Sequence, residues 1–185
     1  MNESYWVIGV VAIGVLTVML IVLSQLRQRR TRGLASRFGP EYGHTVATLG
    51  TRTGAEKELE ARARRVESLS LHSLPAPDRE RFVELWRTAQ THFVDSPLTA
   101  VAEADQLVAE VMRARGYPVA EFEQRAADVS VDHPQLVEHY RFAHAAAANA
   151  GSGKIGTEEL RQALVHLRAL FEELLEVAEP VPATS

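Results

Sequence analysis

Three histidines within one short stretch, DHPQLVEHYRFAH (132–144), are the side chains best suited to chemistry. An imidazole takes or releases a proton near neutral pH and ligates metals, so His133, His139 and His144 suggest acid–base or metal chemistry. Spacing argues against a site made from this stretch alone. Two histidines on one helix share a metal at i,i+3 or i,i+4, whereas His139 and His144 are five residues apart, about 140° around a helix. A pocket would therefore need a carboxylate from another helix. His133 precedes Pro134, which disfavours helical backbone and places it at a capping position, with Asp132 and Gln135 as an N-cap pairing. Capping and edge packing are the expected roles. His133, His139 and His144 are kept as weak site candidates, and no catalytic, cofactor-binding or metal-binding residue is assigned.

Other chemical patterns are incomplete. GSGKIGT (151–157) is near a phosphate-binding loop of the form G-x-x-x-x-G-K-[ST], but Ala148 stands in place of the first glycine and Ile155 in place of the Ser/Thr. A helical pattern precedes it where a strand is required, so an inter-helix loop is expected. Asp95, Glu103 and Asp105 lack the Glu and E-x-x-H spacing of di-metal bundles. Trp86 and Phe93 share an apolar stripe and read as core. With no cysteine, thiolate ligands, thiol nucleophiles and disulfides are excluded. Residues 38–185 carry 15 basic and 23 acidic groups, a net of −8, which repels phosphate backbones and argues against nucleic acid.

The elements that must position these groups begin with an apolar run. Tyr5 to Leu26 has 22 residues and no charge, about 33 Å as helix against a hydrocarbon core of about 30 Å. It predicts a transmembrane helix with Tyr5 and Trp6 in an aromatic belt. A cleaved signal peptide, the exported alternative, would need a basic start and a shorter apolar run. Arg27, Arg29, Arg30 and Arg32 follow the run and none precedes it. They predict an external N-terminus and a cytoplasmic domain; a topology signal is role enough for them, with contact to anionic lipid headgroups as the alternative.

Beyond Gly39 the apolar residues recur at helical spacing. A first helix is expected from Glu41 to Ser70, with Val46, Leu49, Leu59, Ala63 and Val66 inward and a break permitted at Gly50 and Gly54. Further helices are expected over Asp78–Val94, from Pro97 to Arg115 with Ser96 as N-cap, and around Phe122, Ala126 and Val129. The last two run from Pro134 to near Gly151 and from Thr157, as N-cap, to Val177. The fold class expected is all-α, a single N-terminal transmembrane helix followed by an antiparallel bundle of about five or six helices. The corresponding organisation is a short external N-terminus (1–4), a span (5–26), a basic juxtamembrane linker (27–38), the bundle (39–177) and a disordered tail (178–185).

The segments RFGPEY, FVDSPLTAVAEADQLVAEVMRARGYP, FEQRAADVSVDHPQLVEHYRFAH and LRQALVHLRALFEELL cover most of residues 34–176. They resemble a family of uncharacterised bacterial proteins with a short N-terminal membrane span and an all-helical domain, often labelled hypothetical or secreted. The resemblance implies a bacterial inner-membrane protein and transfers no activity, cofactor or site residue. The resulting expectation is a non-catalytic, membrane-tethered interaction or scaffolding module. Its partners would be the lipid bilayer and either a protein partner or a second copy. The alternative is a membrane-bound enzyme or ligand-binding bundle using the three histidines.

Overall fold

Apolar residues at a 3.6-residue period, punctuated by Gly and Pro, produce helix along most of the described chain. The computed structural model describes residues 3–118, 120–149 and 155–176, with side chains from Gly14 onward. Among the described residues there are eight α-helices and no strand: α1 (Glu3–Phe38), α2 (Pro40–Leu49), α3 (Arg52–Glu67), α4 (Ala76–Asp95), α5 (Pro97–Ala114), α6 (Phe122–Asp132), α7 (Val137–Asn149) and α8 (Thr157–Glu176).

The expected single transmembrane helix is corrected. Among the described residues no helix is long and apolar enough to cross a membrane. Residues 5–13 of the expected span lie outside the described side chains. Arg27, Arg29, Arg30 and Arg32 follow Leu26 at once within the same helix. The placement in a bacterial inner membrane with the N-terminus outside falls with the span. Residues 27–38 lie within α1 itself. The expected tail, 178–185, lies outside the described residues.

Two clusters form the interior. The larger joins α4, α5, α7 and α8, with Trp86 stacked on Phe171 at 4.6 Å between ring centroids. Its α5 contribution, Val101, Ala104, Val108, Val111 and Met112, is the face the apolar period predicts. The smaller packs Phe38 at the end of α1 against Leu59, Ala63 and Val66 of α3 and Val131 of α6. Leu69 and Leu71, in the segment after α3, touch both clusters.

The first bundle helix breaks where the glycines allow it. Gly50 caps α2 at φ 68°, a left-handed backbone, and donates to the Val46 carbonyl. Thr51 then caps α3 by accepting from the Gly54 amide at 3.2 Å. Two i,i+4 pairs form along α3, Glu58–Arg62 at 3.0 Å and Glu60–Arg64 at 3.9 Å. The inward face of α2 differs from expectation: Leu49 is exposed, and Glu41 and Thr45 are buried in its stead. Ser96 precedes α5 without a side-chain capping bond. At α8 the cap is Gly156, whose amide donates to Glu159 Oε2 at 2.7 Å, one residue before the expected Thr157.

Candidate functional site

The three histidines occupy three separate environments. His133 is the C-cap of α6, its amide donating to the Val129 carbonyl, and α7 starts only at Val137. This corrects the expected N-cap role before Pro134; residues 134–136 form a turn closed by the Leu136 amide on the His133 carbonyl. The ring is buried, with Nδ1 3.4 Å from Glu173 Oε1 of α8, a contact too poorly aligned to be a hydrogen bond. Burial holds its pKa below the usual imidazole value, against the raising effect of Glu173 and Asp132.

His139 lies exposed on α7, stacked on His166 of α8 at 4.1 Å with an interplanar angle of 15°. The nitrogen lone pairs that ligate a metal lie in the imidazole plane, so parallel stacked rings direct them side by side and do not converge them. Burial, then the neighbouring His139, lowers the pKa of His166. His144 faces elsewhere: Nδ1 is 2.9 Å from Asp105 Oδ2 of α5, and Phe122 of α6 stacks on its ring at 3.6 Å. This is the carboxylate from another helix that a site would require, yet His133 and His139 do not reach it. Among the described residues no group of three or more His, Cys, Asp or Glu could hold a metal ion.

The scattered carboxylates resolve similarly. Glu103 pairs with His92 at 2.8 Å across α4 and α5, bordering a groove of about 220 Å³ lined by Leu85, Ala89 and Leu107. Asp95 ends α4 on the surface. Most of GSGKIGT, residues 151–154, lies outside the described residues.

The densest polar arrangement is one the sequence reading missed. Glu41, only 1% exposed, lies between two arginines from different helices. Arg141 of α7 donates to both of its oxygens, at 2.6 and 2.9 Å, and Arg62 of α3 donates at 2.7 Å. Burial is the largest influence on this carboxyl and by itself raises its pKa. The hydrogen bonds and charges of Arg141 and then Arg62 outweigh it and bring the net value below the usual range. A second buried carboxylate, Asp128 of α6, accepts from Arg65 of α3 at 2.7 Å. Together these pairs fasten α2 and α3 to α6 and α7, a structural task. The signal was a carboxylate at the i−4 position of a buried threonine, Glu41 before Thr45, legible only once the inward face of α2 was known.

Comparison with known protein families, with curated proteins and with solved structures yields no match. The functional reading therefore rests on geometry alone.

Proposed function

We propose that the protein is a helical interaction module that associates, through α1, with a partner helix or a second copy of itself, and performs no catalysis. The observation carrying this reading is the surface of α1. Val15, Leu16, Val18, Met19, Leu20, Ile21, Val22, Leu23 and Leu26 are between 44% and 64% exposed and follow one another along the helix. A contiguous apolar surface of this kind exceeds what an isolated chain ordinarily leaves to water. Helix pairing covers it by packing ridges into grooves, at no cost in unpaired backbone groups. The dispersal of the histidines supports the non-catalytic part, because a general base needs a reacting partner within reach.

The test is chemical cross-linking of the full chain held in a non-ionic detergent, with identification of whatever is joined to α1. Recovery of a second copy or one reproducible protein partner is expected. Replacing Leu16, Leu20 and Leu23 by Gln places polar groups on one face at i, i+4 and i+7 and should abolish that cross-link. No partner and no second copy would refute the reading.

A further inference from the structure

The arginines after the apolar run have a setting that the sequence does not disclose. The C-terminal half of α1 lies along the start of α3, and between them opens a cleft of about 720 Å³. Arg27, Arg30, Arg32 and Arg52 line it together with Gln28, Thr31, Thr53 and Glu56. This volume is in the range of small-molecule sites, roughly 300–1,000 Å³.

The charges do not balance inside it. Arg30 is paired with Glu60 through both guanidinium and carboxylate atoms. Glu56 is buried at the floor, where one oxygen accepts from Thr31 at 2.6 Å and from Tyr42 at 3.1 Å. Among the described residues Arg27, Arg32 and Arg52 form no ion pair. Three arginines without an ion pair therefore line the cleft against one carboxylate there, Glu56, beside the start of a 16-residue helix whose dipole adds to the positive potential. Thr51 satisfies the Gly54 amide, which leaves the amides of Arg52 and Thr53 outside the intrahelical pattern. An excess of like charge costs energy unless an anion offsets it, and guanidinium forks beside the first amides of a helix match phosphate oxygens.

We infer that this cleft is a binding site for a ligand bearing clustered phosphate groups, held by Arg27, Arg32 and Arg52 with Thr53 at its edge. Arg30, anchored by Glu60, fixes the wall and keeps α1 in register with α3. The inference is independent of the association through α1, since the cleft belongs to one chain. Two sources supply the same chemistry: a soluble polyphosphate compound or the phosphorylated headgroup of a lipid.

The probe is inorganic pyrophosphate, titrated calorimetrically into the full chain in non-ionic detergent, with a parallel arm of sedimentation with vesicles. Arg32→Gln and Arg52→Gln should each weaken pyrophosphate binding about tenfold, the loss of one charge-assisted contact, and Arg52→Lys should weaken it less, keeping charge without the fork. Arg79→Gln, on α4, should leave it unchanged, and circular dichroism of all variants should match the parent. If pyrophosphate fails but vesicles of anionic phospholipid bind above neutral ones, and Arg32→Gln and Arg52→Gln remove that excess, the site stands and its ligand is a headgroup. Absence of both forms of binding, or equal weakening by Arg79→Gln, overturns the inference.

Discussion

Glu41 shows how much one side chain governs here. With both guanidinium partners largely withdrawn from water, 13% and 19% exposed at Arg62 and Arg141, its removal strands two positive charges. Glu41→Gln is expected to cost about 3–5 kcal/mol, the usual consequence of breaking a buried pair on one side, read as a fall in the urea midpoint. Because its folded pKa lies below the unfolded one, the stabilisation is present above about pH 4.5 and is lost as pH falls through the folded value. The histidines act in a higher window. His133 and His166 have folded pKa values lowered by burial, so the unfolded chain takes up protons first, and stability declines as pH falls below about 6.5. Glu173, Asp132 and Arg115 face His133, and Asn in its place should flatten the urea-midpoint profile between about pH 7 and 5. A profile as steep as the parent's would exclude His133 as a contributor. None of this was legible from residue types, because a charge is buried or exposed only by its neighbours from other helices.

Among the elements, legibility followed the length and regularity of the apolar period. The helices α5 and α8 emerged from sequence because Val101 and Val108, and Leu160, Leu167 and Phe171, repeat over several turns and are buried. The face of α2 did not, since a 10-residue helix offers too few repeats and its buried positions are polar. Its break from α3 was legible, because Gly50 and Gly54 weaken the helix there and Gly50 adopts φ 68°. Gly50→Ala should cost about 1 kcal/mol from backbone strain alone, since an added Cβ meets nothing within 4 Å. Gly116, at φ 97°, is more demanding: its Cβ would lie 2.7 Å from the Ser70 carbonyl oxygen. Gly116→Ala should therefore lower the thermal midpoint more than Gly50→Ala, and the reverse order in a melting experiment would disprove the assignment of that contact.

At the scale of the whole molecule, the all-helical class was legible and the anchored architecture was not sustained, because among the described residues no helix is long and apolar enough to cross a membrane. The larger core holds α4, α5, α7 and α8 through Trp86 and Phe171, so Phe171→Ala should cost about 3–5 kcal/mol and shift Trp86 emission to longer wavelength. An unshifted difference spectrum against the parent would contradict the stacked pair. The partners of Glu41 also impose an order on biosynthesis. Arg62 lies 21 positions downstream and Arg141 lies 100 positions downstream. A growing chain can join the first pair as soon as α3 has formed, but the carboxylate keeps one side hydrated until α7 emerges. The final desolvation of Glu41 is thus a late event that closes the α2–α3 hairpin onto the bundle. A ribosome paused before residue 141 would hold a hairpin that is paired but not yet locked.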